Sequence, residues 1–444
     1  MRGVEVDWIE PDSVAEGWRG PGLAWLDGDG SSLLGRWSFI GAAPTEWREV
    51  AWGEPDPFRA IGEIGRTTAA RATRARDALL PDPSEIPAWF GHIAYDAAWT
   101  GGATAGLRQQ PRHARTSAVP VVRFVRYDAV VAWDHHAHRT WILGDDDDAV
   151  ARAQVRLARR RASQATARVG PPHSEPAGMH HSAIQAALEA IAAGEIYQVN
   201  LARVWVAAFE GEPLALFKAM REVSPVPLGA FLEGHSWALS SRTMERFLRF
   251  DARDRSVESR PIKGTIARRG EDEQTSAALR GDAKEQAEHA MIVDLMRNDL
   301  GRVADVGSVR VHGLMRVEPY AALSHLVSTV RATVGREVGL DDLLAATFPP
   351  GSITGTPKVR AMEQIERLER QARGAYCGAI GHIDRAGGLS LSVAIRTAVV
   401  EGGGLTYLAG GGLVDASDPD RELAETELKA KVLLDALRML TPPG

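Results

Sequence analysis

Residues 381–400 read GHIDRAGGLSLSVAIRTAVV, and the Arg-Ala-Gly-Gly step between two β-rich runs decides how those runs pair. A connection this short joins antiparallel neighbours, whereas a parallel crossover needs a dozen or more residues. Strands are therefore predicted near 375–383 and 389–400, facing each other across a tight turn. Working outward, helices are expected at 180–194, 213–223, 283–299, 340–346, 357–371 and 419–438. Further strands are expected near 199–209, 228–233, 236–241, 257–262, 308–314 and 405–409. Helices and strands do not alternate regularly, and neither a repeat nor a GxGxxG fingerprint occurs. An α+β class is favoured over a doubly wound sheet.

The first 145 residues read as strands and turns, in LLGRWSFIGAAP, PAWFGHIAYDAAW, VVRFVRYDAVVAWD and RTWILGD. The acidic run Asp145–Asp148 reads as a solvated turn, since charge runs usually face water. An Arg- and Ala-rich helix follows. Next comes Val169-Gly-Pro-Pro-His-Ser-Glu-Pro-Ala-Gly178, the best linker candidate. The expected division is a β-rich region over 1–150 and a second domain over 178–440.

With 444 residues, 44% hydrophobic and 25% charged, the chain can bury a large core as an ordinary globular protein. A net charge of −6 gives a nucleic-acid partner no support. The lone cysteine, Cys377, excludes an intramolecular disulfide framework and a multi-cysteine metal site. The N-terminus is acidic and broken by proline, and no run approaches 18 apolar residues. Neither a signal peptide nor a membrane span is predicted, and a cytoplasmic protein is the default expectation.

Several motifs could carry chemistry. Lys263 in RPIKGTIARRG (260–270) stands where an apolar strand residue would be expected, and is either a solvated charge at a turn or an amine beside a substrate. Glu285 and Glu288 share a helix face at i,i+3, as do Glu422 and Glu425, with Lys429 one turn on. Such pairs are either solvated or able to share one hard cation, and Mg²⁺ suits oxygen ligands with open positions. Asp418-Pro419 starts the second helix. In PPGSITGTPKVRAMEQIERLE (349–369), Thr356 reads as N-cap and Pro357 as first helical residue, after a glycine-rich turn that could hold a carboxylate or be a plain turn. Gly410, Gly411 and Gly412, between a strand and a helix, allow close backbone approach or merely fill a turn. Arg396, in an apolar strand next to that of Tyr376, needs either a ligand carboxylate or a structural salt bridge. His325 alone reads as a core histidine.

Taken together, GEIYQVNLAR (194–203), RPIKGT (260–265), AEHAMIVDLMRNDLGRV (287–303), SHLVS (324–328), PGSITGTPKVRAME (350–363), YCGAIGHI (376–383), AIRT (394–397), AGGGLV (409–414) and ELAETELKAK (422–431) resemble the chorismate-utilising enzymes. That family includes the anthranilate, isochorismate, salicylate and aminodeoxychorismate synthases. The resemblance implies two large, mostly antiparallel sheets packed as a sandwich with helices outside. It implies Mg²⁺ held directly by Glu288 and Glu425, with Glu285 and Glu422 acting through water, and clamped to the ring carboxylate of chorismate. Tyr376 and Arg396 would grip the enolpyruvyl carboxylate, and Gly410–Gly412 and Lys429 the ring carboxylate. His325 would lie beside the ring, with Ser352, Gln198 and Thr265 also at the substrate. Glu245, in SSRTMERFL, would be the general acid for the departing 4-hydroxyl.

Lysine at position 263 resembles the aminodeoxychorismate synthase branch, where anthranilate and isochorismate synthases carry alanine. The resemblance implies that its amine attacks ring carbon 2 as the 4-hydroxyl leaves, and that ammonia then adds at carbon 4 and expels it. Such a lysine must be neutral, so its surroundings are expected to lower its pKa. Gln198 agrees, because water-adding members carry a lysine there. No glutaminase signature is seen, so a separate glutamine amidotransferase subunit is implied as ammonia source. Thr243-Met244 departs from the family's Ser-Pro before Glu245. Leu26-Asp-Gly-Asp29 departs from the Leu-Glu-Ser of tryptophan-inhibited members, which argues against feedback by tryptophan.

Overall fold

The turn at 384–388 closes as its residues dictate. In a computed structural model, which describes residues 1–72, 80–101, 113, 117–160, 164–267, 281, 283–319 and 323–441, strand Ala379–Asp384 pairs antiparallel with Leu389–Val393. The Asp384 carboxylate accepts from the N–H groups of Ala386 and Gly388, at 2.8 and 2.9 Å, and Gly387 takes the left-handed conformation at φ +89°. The second strand is not the single run over 389–400 that was expected. It stops at Val393, and Thr397–Glu401 begins a new strand in a different sheet. Between them Arg396 adopts φ +51°, a conformation that no glycine or proline in the sequence announces.

All the described pairings of the named strands are antiparallel, and they build one 13-stranded and one 10-stranded sheet. Phe39, Ala230 and Leu239 of the larger sheet meet Phe90, Val125 and Ile380 of the smaller in one buried cluster. The α+β sandwich is thus as expected. Residues 1–150 and 178–440 contribute strands to both sheets: Ala24–Asp27 pairs with Leu228–Glu233, and Pro87–Ile93 with Ala379–Asp384. The linker candidate lies against strand Gln198–Gly211, through Ala167–Val169 and His173–Ser174. Asp146 caps helix Asp147–Ala158 by accepting from Ala149 N–H, and Asp145 pairs with Arg126 and Arg385, so that acidic run does more than face water.

The six helices expected beyond residue 178 form, as Ala177–Ala192, Pro213–Val223, Ala283–Gly301, Leu340–Thr347, Lys358–Leu368 and Pro419–Leu440. The fifth starts later than expected. Thr356 is drawn into a short strand opposite Gln198, leaving Pro357 as a cap residue without a side-chain bond. No described helix is long and apolar enough to cross a membrane.

Among the places where the chain passes between the sheets, Thr243–Arg246 and Val393–Thr397 run side by side. Arg242 N–H donates to Arg396 O at 3.1 Å, and Val393 N–H to Glu245 O at 3.0 Å. Arg242 is fully buried and gives Nη1 to Asp27 Oδ2 at 2.7 Å and Nε to Ser224 O at 2.9 Å. A Cβ on Gly229 would stand 2.2 Å from Arg242 Nη1, so the guanidinium needs glycine beside it. Removing one partner of a buried ion pair strands the other charge, at about 3–5 kcal/mol. Asp27→Ala should therefore lower the urea midpoint by an equivalent of about 3 kcal/mol or more at unchanged slope. A shift under about 1 kcal/mol, the range of exposed pairs, would show that this corner does not depend on Asp27.

Candidate active site

Strand Ile262–Ala267 pairs with Leu323–Thr333, but the register slips between Lys263 and Thr265. Gly264 is the extra residue, at φ +62°, where a side chain would be strained. A bulge of this kind re-aims its neighbour. Lys263 is largely buried, with Nζ 3.3 Å from Glu288 Oε2, so it is not a solvated charge at a turn. A Cβ placed on Gly412 would lie 3.0 Å from both Lys263 Nζ and Gln198 Nε2. The amide and the amine therefore flank one bare stretch of backbone. Gln198 Oε1 is buried and has no hydrogen-bond partner among the described residues. The side chain of Thr265 lies outside the described residues.

The three glycines do not form a loop. They continue strand Gly404–Leu413, paired to Ala202, Leu201 and Asn200. A Cβ on Gly410 would come within 2.3 Å of Leu201 O; one on Gly411 would lie 3.0 Å from Glu422 Oε2 and 3.4 Å from Glu425 Oε1. Glycine thus keeps the strand flat against the helix that carries these carboxylates. That helix starts on Asp418, which accepts from Arg421 N–H. Ser417 Oγ donates to Glu422 Oε1 at 2.7 Å. Lys429 Nζ bonds Glu425 Oε1 at 2.6 Å and Gly410 O at 2.7 Å.

Glu288 and Glu285 come from the other helix, Ala283–Gly301. Burial pushes the Lys263 amine toward its neutral form, but Glu288, Glu425 and Glu285 outweigh it, and its pKa is raised. The protein groups alone thus act opposite to the expected lowering. Among the described residues, no three Asp, Glu, His or Cys side chains already stand together as an ion cage.

Glu245 occupies the first crossover and is buried. Burial drives its carboxyl up to about 7, against the lowering influence of the Ser352 hydroxyl, Lys263 and Lys429. Thr243 Oγ1 accepts the Glu245 N–H at 3.2 Å, so a hydroxyl shapes this turn where the family's Ser-Pro is absent. Met244 packs with Val226 and Ile262.

Arg396 occupies the second crossover. Burial lowers its pKa, and among the described residues it makes no ion pair with a carboxylate, so the structural-salt-bridge reading is not met. His325 lies near it and is held down to about 4, first by burial and then by Arg396. Its Nδ1 faces Gly264 O at 3.2 Å; a carbonyl only accepts, so Nδ1 carries the proton. Tyr376 is buried just before strand Ala379–Asp384. It joins the second crossover through Cys377 N–H to Ala394 O, 2.9 Å. The structure thus brings Lys263, Gln198, Gly412 and Glu288 together, and Glu245 with Ser352. Arg373 beneath Tyr376 was missed by sequence reasoning, because nothing in RGAYCG marks a buried arginine.

A separate cavity of about 310 Å³ lies between the sheets, lined by Leu26, Asp27, Arg36, Pro227, Arg246 and His382 among others, and by none of these site residues. Asp27 there is already engaged by Arg242 and Arg221.

Glu245 gives a pH signature. Its folded pKa of about 7 exceeds its ordinary value of 4.5, so between those pH values the folded state holds a proton that the unfolded state has lost. Stability conferred by the neutral carboxyl is complete below pH 4.5 and declines as pH rises to about 7. Glu245→Gln should remove this decline, gaining on the order of 3 kcal/mol over wild type at pH 8 relative to pH 4. Parallel wild-type and variant urea curves across that range would show that Glu245 is not held neutral.

A family model described as chorismate binding enzyme matches residues 38–435. An aminodeoxychorismate synthase of Streptomyces griseus is 36% identical over 94% of this chain and 61% of its own length. Aminodeoxychorismate synthase component 1 of Salmonella typhimurium is 44% identical over 55% of this chain and 54% of its own length. The chain thus spans less than two thirds of either curated relative. Among solved structures, anthranilate synthase component I from Streptococcus pneumoniae superposes with a TM-score of 0.75 at 26% identity, covering 90% of this chain and 93% of that one. With a matched region running through both sheets and both crossovers, the chain belongs to the chorismate binding enzyme family.

Proposed function

We propose that the chain binds chorismate and replaces its 4-hydroxyl with an amino group, giving 4-amino-4-deoxychorismate for 4-aminobenzoate supply. The observation that carries this reading is a buried lysine amine, Lys263 Nζ, aimed by a glycine bulge at the bare backbone of Gly412, while Glu245 is a carboxyl that keeps its proton near neutrality. In the proposed reaction the neutral amine bonds to ring carbon 2, the ring electrons shift, and the C4–O bond breaks. Glu245 delivers its proton to the departing oxygen, which leaves as water. Ammonia then bonds to carbon 4 and the electrons return, releasing Lys263.

Glu288 and Glu425, with Glu285 and Glu422 behind them, are hard oxygen donors of the kind Mg²⁺ takes, and they arrive from two helices toward one glycine strand. When bound, Mg²⁺ would hold the ring carboxylate and increase its electron withdrawal. Once those carboxylates are neutralised, burial alone acts on Lys263 and favours the free amine. Arg396, a buried guanidinium without an ion pair among the described residues, suits the enolpyruvyl carboxylate. Ammonia would come from a glutamine amidotransferase subunit, in keeping with the component 1 naming of the Salmonella relative.

Amination at carbon 2, the anthranilate reaction, is the rival that the pneumococcal structure raises. Product identity decides between them. Incubation with chorismate, Mg²⁺ and an ammonium salt should give the 4-amino isomer by NMR, and anthranilate as the product would reject the proposal. Glutamine alone should yield nothing until an amidotransferase partner is added. Lys263→Ala should bind chorismate normally but form product at least about 10²-fold more slowly, roughly 2.7 kcal/mol of transition-state stabilisation. Lys263→Arg should not rescue it, because a guanidinium stays protonated. Glu288→Gln or Glu425→Gln should lower activity by at least about 10²-fold with folding retained. Full turnover after exhaustive chelation would remove Mg²⁺ from the scheme.

A further inference from the structure

Arg373 lies between helix Lys358–Leu368 and Tyr376, and is buried. Its guanidinium is committed on every side. Nε donates to Glu369 Oε2 at 3.0 Å, and Nη2 to Glu369 Oε1 at 2.6 Å and Asn200 O at 2.7 Å. Nη1 donates to Ile353 O at 2.9 Å. The Cζ atom lies over the ring of Tyr95, 4.8 Å from its centroid, and over that of Tyr376 at 5.7 Å. Glu369 in turn accepts the Ala202 N–H at 3.0 Å.

Three of these contacts reach segments that carry a group of the proposed site. Asn200 is two residues from Gln198, Ile353 adjoins Ser352, and Tyr376 is the proposed carboxylate ligand. Tyr95 is different, because it belongs to the N-terminal region and has no role in the proposed chemistry. Its backbone N–H donates to Gly374 O and Asp96 accepts the Gly374 N–H, both at 2.8 Å. The Tyr95 hydroxyl is buried and has no hydrogen-bond partner among the described residues. The ring face is therefore what Tyr95 offers the guanidinium.

We infer that Arg373 is a positioning residue that holds Tyr376 for the substrate carboxylate, and that the N-terminal region acts on the site through the face of Tyr95. The inference rests on the reading of Tyr376 as a substrate ligand. A planar fork with donors in fixed directions meets this set of acceptors, and an ammonium does not.

The test uses the full chain with chorismate, Mg²⁺ and an ammonium salt, and three variants. Tyr95→Phe keeps the ring and should match wild type within about twofold in KM and kcat. Tyr95→Leu removes the aromatic face but leaves the Arg373–Glu369 pair, and should raise the chorismate KM at least about fivefold with kcat changed less than twofold. Arg373→Lys should raise it at least about tenfold. A purely structural role would lower the melting temperature and the active fraction, hence kcat, and leave KM alone. Should Arg373→Lys fail to fold, Tyr95→Leu still decides. Wild-type KM in Tyr95→Leu overturns the inference, as does an equal rise in Tyr95→Phe, which would move the effect to the hydroxyl. A wild-type chain that does not turn over chorismate overturns the functional reading and this inference with it.

Discussion

Two stretches of chain, 242–245 and 393–396, leave one sheet and enter the other side by side. Their mutual hydrogen bonds fix the spacing of what surrounds them. One brings a carboxylic acid, Glu245, and the other a guanidinium, Arg396, to the seam between the two layers. A side chain on a regular strand faces a core or the solvent, whereas one on a sheet-switching corner can face neither. The corners are bound to the larger sheet by Thr397 Oγ1 to Ser241 Oγ at 2.8 Å and by the buried Arg242. The left-handed backbone at Arg396 and at Cys377, φ +51° and +63°, persists because these neighbours over-determine it.

The electrostatics of the site divide along the same seam. Environment pushes two groups in ways that matter for proton transfer: burial raises the Glu245 carboxyl to about 7, and three glutamates raise the pKa of Lys263. Lys263 and Lys429 offset part of the charge that four glutamates bring to the glycine strand. The arrangement is poised rather than finished, since the proposed attack needs Lys263 to lose a proton that its neighbours favour. Charge on those carboxylates is thus the natural control point for the amine.

Much of this was legible in the sequence. The hairpin at 381–400 announces antiparallel pairing through its turn, and the two helices with i,i+3 glutamates form where periodicity puts them, because local pattern dictates both. The corners were not legible. AIRT reads as continuous strand, and only the competing pull of two sheets bends it. Gly410–Gly412 read as a loop because glycine usually breaks strands, yet here close approach of Leu201 O and the helix carboxylates requires glycine within one. Desolvation of Lys263 was weighed from the sequence, but not the three carboxylates around it, which in the protein alone raise its pKa. Buried pairs such as Arg242 with Asp27 join residues far apart in sequence and leave no periodic trace.

The interleaving of early and late strands also has a temporal meaning. Strand Pro87–Ile93 pairs early with Val122–Arg126, but its second neighbour is Ala379–Asp384, so during synthesis that edge must wait for ~290 further residues, on the order of 15–60 s at ~5–20 residues per second. Through that interval a mostly apolar strand, buried along its whole length in the finished fold, has no partner on one side. A nascent chain of this topology is therefore a natural client for whatever shields sticky edges at the ribosome exit. Its yield in a foreign host should be governed by that waiting time more than by the stability of the finished protein.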